Sequence, residues 1–215
     1  MTTNRIFRSA VSATILLLFA AHNLLACACC AEAGTYSIWT AKPDAYLLGV
    51  IGDIQFEKTA DLYLTDAEFE SIKGLDPVAK EYETAGWTGE PGGFDIAATF
   101  AAKRWTLKLK TKGGKTGTLI LPMPLQVISY KADIHDGRQS GGGGPLLYKE
   151  MIFKGRVAGG SGFVKSGLAR QANYFLVFQG RGNNCDNASD FKNWRFDITG
   201  PNAKYAFYGK LNTAG

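Results

Sequence analysis

The four cysteines are the residues of this chain whose type and spacing could support chemistry. Cys27, Cys29 and Cys30 form a Cys-x-Cys-Cys segment, whereas Cys185 lies far away in a loop rich in Asn and Asp. Neighbouring cysteines pair poorly because the resulting ring is strained, so Cys185 is expected to pair with one of the other three. In the chain-entropy model, a bridge that closes a loop of roughly 150 residues stabilises a fold by about 4–5 kcal/mol.

The same cysteines suit a soft metal ion. Thiolates prefer copper(I) or zinc to hard cations, and Cys29, Cys30 and Cys185 would be the ligands. A closed zinc site needs four ligands, and processing of the N-terminus decides whether Cys27 survives to provide one. A cross-link without a cofactor is therefore our main expectation, and a copper, zinc or thiol-redox protein is the alternative.

The N-terminus predicts export. Arg5 and Arg8 precede an uncharged apolar run, residues 10–21, and small residues follow it. That order is typical of a signal peptide, and the run is short for a membrane span. We assign residues 1–28 to an export signal and residues 29–215 to one domain.

Two features of the sequence leave open where the signal is cleaved and whether the new N-terminus carries a lipid. Two small-x-small cleavage sites are present. Cleavage after residues 26–28 would leave Cys29 as the first residue, and cleavage after residues 31–33 would leave Gly34. Residues 24–27, Leu-Leu-Ala-Cys, resemble a bacterial lipobox, which implies acylation of Cys27 as an alternative. Lipid on the N-terminus is the only membrane attachment that we expect, and the predicted location is periplasmic, envelope-associated or secreted.

Charge argues against a nucleic-acid partner. The chain has 24 Lys and Arg against 19 Asp and Glu, and the signal removes two basic and no acidic residues, which leaves a net charge of +3. A nucleic-acid-binding domain would need a broad basic face with interleaved aromatic residues. The partner is instead expected to be a small ligand or an envelope component.

Alternating apolar and polar residues predict an all-β domain. One short helix is expected near the capping box Thr65-x-x-Glu68, ending at Gly74. Short strands joined by Gly-rich turns favour an antiparallel sandwich or barrel of about nine or ten strands, and the sequence does not separate these two architectures. The predicted strands are residues 54–64, 94–100, 105–111, 116–121, 125–134, 146–157, 172–180, 191–199 and 205–211.

One local cluster of basic residues stands out around the predicted hairpin of residues 105–121. Alternating lysines on a strand usually form a solvated face that protects an edge from pairing. With a tryptophan among them, they could also touch an anionic lipid or polysaccharide surface. The cluster consists of Lys103, Arg104, Lys108, Lys110, Lys112 and Lys115.

His135 is the one histidine beyond the signal segment. A strand would place Asp133 and His135 on the same face, where a carboxylate could orient an imidazole for acid-base chemistry. No nucleophile motif accompanies the pair, because Phe163 stands where a nucleophile elbow would need its last glycine. No catalytic residue is assigned, and an exported β-rich binding or structural module is the predicted function.

Overall fold

The computed structural model describes residues 36–63, 73–76, 93–141 and 143–213. The predicted export signal, the Cys-x-Cys-Cys segment and the helix expected at Thr65 lie outside these residues. Their predictions are therefore not tested by the structure.

The helix that the structure does describe, α1, spans Ala45–Asp53, where the sequence predicted none. Asp44 caps it, because the Asp44 carboxylate accepts the backbone N–H of Leu47 at 2.8 Å. Val50 and Ile51 are its buried residues. The helix lies against the sheet through this apolar side and has contacts with the next two strands along the chain.

Eleven strands account for most of the described chain, as the sequence predicted for an all-β protein. Their alternating burial follows from the two-residue period of a strand; on the fourth strand, for example, Trp105, Leu107 and Leu109 are buried while the residues between them face outward. The strands are β1 (Tyr36–Ala41), β2 (Ile54–Tyr63), β3 (Gly93–Ala101), β4 (Arg104–Lys110), β5 (Thr116–Pro122), β6 (Val127–Ala132), β7 (Leu147–Arg156), β8 (Gly159–Gly162), β9 (Asn173–Gly182), β10 (Phe191–Gly200) and β11 (Ala203–Thr213).

All eleven strands belong to one antiparallel sheet that does not close, in the order β1-β6-β7-β9-β10-β11-β2-β3-β4-β5-β8. Only Val157 and Ala158 separate β7 from β8, although eight strand spacings, about 38 Å in a flat sheet, lie between them in that order. Two residues cannot span this distance. The sheet therefore coils until its far end returns to β7, and the amide of Ala158 bonds to the carbonyl of Ile120 on β5.

A single core fills the coiled sheet. Trp105 on β4 lies 4.8 Å from Phe153 on β7 and 6.2 Å from Phe178 on β9, measured between ring centroids. These three side chains are fully buried. The ring contacts join strands that are distant in the sheet order, so the core holds the coil together.

Two hairpins flank β4. The turn of residues 111–115 matches the predicted Lys-Gly-Gly-Lys turn, with the amide of Thr111 bonded to the carbonyl of Lys115. At the other end, Ala102 and Lys103 both have positive φ values of 50° and 56°. This is the two-residue connection that matches the twist of paired strands, and it fixes Lys103 and Arg104 at the tip of the β3–β4 hairpin.

Candidate functional site

The six basic residues predicted as a surface cluster form one basic stripe along β4. All six are exposed. Arg104, Lys108 and Lys110 occupy alternate positions of β4 and share its outer face, while Trp105, Leu107 and Leu109 point into the core. Lys103 lies in the turn before β4, and Lys112 and Lys115 lie in the turn after it, so the stripe runs the length of the strand.

A groove of about 700 Å³ follows the middle of this stripe. Lys108 and Lys110 line it from β4, and Lys58 lines it from β2. Small residues on the neighbouring strands leave the space between these amines open. Ala97 of β3 and Thr118 of β5 both stand directly opposite Lys108. We call this the basic groove.

Among the described residues that line the basic groove, Asp95 is the one acid, and it stands opposite Lys110 in the β3–β4 pair. Three lysines against one aspartate leave the groove with a net positive charge. None of the exposed large apolar side chains of the described residues lies on β3, β4 or β5. The amines at the described lining of the groove therefore suit it to binding an anion.

Two lysines of the sheet, Lys149 and Lys131, bind the loop that contains Cys185, residues 183–190. Lys149 of β7 donates to the carbonyl of Cys185 and lies 2.6 Å from the carboxylate of Asp190. Lys131 of β6 donates to the carbonyl of Asn184. The loop can approach this closely because β9 ends in glycine: a Cβ on Gly182 would lie 2.3 Å from Cγ of Asp190.

The two lysines and two aspartates form a buried charge cluster. The side chains of Lys131 and Lys149 are 3% and 1% exposed, and both amines lie near Oδ1 of Asp186, at 2.9 and 3.1 Å. Burial lowers the pKa of Lys131 from its usual range, while the neighbouring Asp186 carboxylate opposes that shift. Trp39 of β1 covers Lys131, with the amine 4.5 Å from its ring.

The sequence pattern contained a signal for this cluster, although the cluster was not among the predicted sites. On β7, Lys149 lies on the same face of the strand as the buried residues Leu147, Met151 and Phe153. A lysine on the apolar face of a strand has no water to solvate it, so it requires a buried partner. Only the tertiary structure identifies that partner, because Asp190 lies on a loop 41 residues away in sequence.

Cys185 is not a free thiol. The cysteines offered by the sequence as its partners, Cys27, Cys29 and Cys30, lie outside the described residues. The predicted cross-link and the predicted copper or zinc site therefore stay predictions. Within the part of the chain that the structure describes, no three His, Cys, Asp or Glu side chains form a group that could hold a metal ion.

Asp133 and His135 come together, but through a turn and not through the strand alternation expected from the sequence. β6 ends at Ala132, and His135 has a φ of 53°. The amide of His135 donates to Oδ1 of Asp133 at 2.9 Å, and the ring Nδ1 lies 3.7 Å from Oδ2. The His135 side chain is 68% exposed, which is consistent with a histidine on a polar turn.

No helix among the described residues has the length and apolar character needed to cross a membrane. Comparison with known proteins found no matching family model, no matching curated protein and no matching solved structure.

Proposed function

We propose that this protein is an exported binding module, periplasmic, envelope-associated or secreted, that holds an acidic polysaccharide in the basic groove. The observation that supports this function is the placement of Lys58, Lys108 and Lys110 around one open groove, in which Asp95 is the one acid among the described lining residues. Export itself rests on the N-terminal sequence pattern of residues 1–28.

The spacing of the lysines favours an extended polymer. Lys108 and Lys110 project from the same face two residues apart, which is about 7 Å along a strand. Arg104 continues the row at one end, and Lys112 and Lys115 continue it at the other. A sugar chain with one carboxylate per ring offers charges at regular intervals along a line, so several of its carboxylates can meet the stripe together.

A membrane surface fits the groove less well. Peripheral membrane binding combines basic residues with apolar side chains that enter the headgroup boundary. The face of β3, β4 and β5 offers amines and small side chains such as Ala97 and Thr118, but no exposed large apolar residue. The charge of the groove is therefore better matched to a hydrated polyanion.

The test is calorimetric titration of the folded protein with polygalacturonate. Replacement of Lys108 and Lys110 by serine should weaken binding by about 1–2 kcal/mol, roughly five- to thirtyfold, because each exposed pair contributes about 0.5–1 kcal/mol. Affinity should also fall as salt is raised, since exposed charges are screened.

The matched control is the replacement of Lys192 and Lys210 by serine. These exposed lysines lie on β10 and β11, and the change in net charge is the same. Equal losses in both double variants would contradict the proposal, because binding would then follow net charge alone. Binding to phosphatidylglycerol vesicles without binding to the polymer would overturn it, as would equal binding to uncharged dextran.

A further inference from the structure

The buried charge cluster beneath residues 183–190 has the composition needed for a covalent cross-link. Lys131 and Lys149 stand directly opposite each other in the β6–β7 pair. The Lys149 amine lies 2.6 Å from Oδ2 of Asp190 and 3.1 Å from Oδ1 of Asp186. Both aspartate side chains are only 14% exposed, so two amines and two carboxyl groups share a space nearly closed to water.

One carboxylate oxygen of the cluster has no hydrogen bond, although the lysines donate to the other members. Oδ1 of Asp186 has an amine on each side, yet it accepts no hydrogen bond of acceptable geometry. The ring of Phe191 lies 5.6 Å from the Lys149 amine. Charges in such surroundings lose most of their hydration, and a buried ion pair recovers that cost only with excellent hydrogen bonding.

We propose that Lys149 and Asp190 become joined by an amide bond between their side chains. The Asp190 oxygen lies 2.6 Å from the amine, and the carbon to be attacked is at most one carbon–oxygen bond farther away. Attack needs the reacting atoms about 3–3.5 Å apart and aligned, a geometry that a small movement of the Lys149 side chain reaches from this contact.

The bond changes balance without any co-reactant. A proton passes from the Lys149 ammonium to the Asp190 carboxylate, which leaves a neutral amine beside a carboxylic acid. The amine nitrogen attacks Cγ of Asp190. The carboxylate of Asp186 takes the proton from the nitrogen and delivers it to the departing hydroxyl. From the amine and the acid, one N–H and one C–OH bond break, one C–N and one O–H bond form, and one water leaves.

The neighbouring groups retain their charges in this reaction. Lys131 stays paired with Asp186 at 2.9 Å and lies under the ring of Trp39. The Lys131 amine therefore stays beside the Asp186 carboxylate that moves the proton. The amide replaces one buried ion pair by a neutral group, so the desolvation cost of that pair is removed.

The experiment is mass spectrometry of the full chain after denaturation, reduction and alkylation, with the N-terminus determined separately. The wild-type protein should be lighter than its sequence by one water molecule, and a protease digest should contain a branched peptide that joins Lys149 to Asp190. Lys149→Met should restore the full mass. The matched control, Lys154→Met, should still lose the water, because exposed Lys154 lies on the same strand over the ring of Phe175.

Two aspartate variants sharpen the test. Asp190→Asn should give the same final mass as wild type, because the amide product is identical when ammonia leaves in place of water. Asp186→Asn should lose most of the cross-linked fraction, because it removes the group that moves the proton. A wild-type chain of full mass with no branched peptide would overturn the proposal. Water loss mapped to the Asp136-Gly137 step, or to a Lys131–Asp186 link, would overturn it equally.

Discussion

Asp136 connects the loop after β6 to β9 through Arg181, and it also binds Arg138 of its own loop. Its Oδ2 lies 2.6 Å from Nη2 of Arg181 and 2.7 Å from Nη2 of Arg138. The hydrogen bond from Arg181, followed by that from Arg138, lowers the pKa of Asp136 from 3.8 to about 2. A carboxylate held by two guanidinium groups is stabilised in its charged form.

This contact predicts a defined pH dependence. Because the folded pKa lies below the unfolded value, the stabilisation is fully present above about pH 4 and is lost as the pH falls through about 2. An NMR titration should give Asp136 a pKa of about 2, and Arg181→Gln should raise it towards 3.8. Arg195→Gln, which removes a similar pair with Asp197 elsewhere on the sheet, should leave the Asp136 titration unchanged.

The sequence predicts which single residues are exposed, but it does not predict the distant partners of buried ones. The exposure of Lys108 and Lys110 follows from their alternation with buried Leu107 and Leu109, and it is confirmed. Tyr174 and Leu176 of β9 are both buried. The hydroxyl of Tyr174 donates to the carbonyl of Pro122 on β5, a partner that local pattern cannot identify.

At the scale of elements, the strands with strong side-chain alternation were predicted and the weak ones were missed. β8 is Gly-Gly-Ser-Gly and has no side-chain pattern. It is a strand because β5 lies beside it, and because Gly160 fits where a Cβ would lie 2.5 Å from the carbonyl of Thr118. β1 was also missed, since all six of its residues are exposed.

The sheet order predicts how the strands differ in local stability. β10 pairs on both sides, with β9 and β11, and contains the buried Trp194, Phe196 and Ile198. β1 pairs with β6 alone among the described strands. In hydrogen exchange, amides of β9 and β10 should be protected orders of magnitude more strongly than those of β1 and β8, because edges open without global unfolding.

The control for this measurement lies within each strand pair. Amides of β6 that bond to β7 should exchange more slowly than amides of β6 that bond to β1. Protection in β1 equal to that in β10 would contradict this order of stability and would indicate that a further part of the chain covers β1.

At the scale of the whole molecule, coiling makes one core from strands at opposite ends of the sheet. Phe178 illustrates this, since its ring lies 5.2 Å from Phe153, 5.7 Å from Phe56 and 6.2 Å from Trp105. These residues come from β9, β7, β2 and β4. An architecture of two separate sheets would have placed the same aromatic residues between layers, so their burial alone did not decide the fold.

The cysteine predictions also belong to this scale, because they join distant parts of the chain. We expect protein exported by its own signal to be free of metal and to have Cys185 blocked until it is reduced. Native and denaturing mass, with alkylation before and after reduction, measures both properties. Bound copper or zinc that is released together with alkylatable cysteines would favour the soft-metal alternative, and treatment with a chelator would then remove it.

The sequence by itself determined the secondary structure class, most strand positions and the row of exposed amines, because a strand's period of two assigns each side chain to a face. It also contained the capping aspartate of α1, which was overlooked. Tertiary structure alone decided the coiled single sheet, the groove between Lys58 and Lys108, and the meeting of Lys149 with Asp190. These depend on contacts between residues far apart in the chain, and local periodicity contains no information about which distant residue becomes a neighbour.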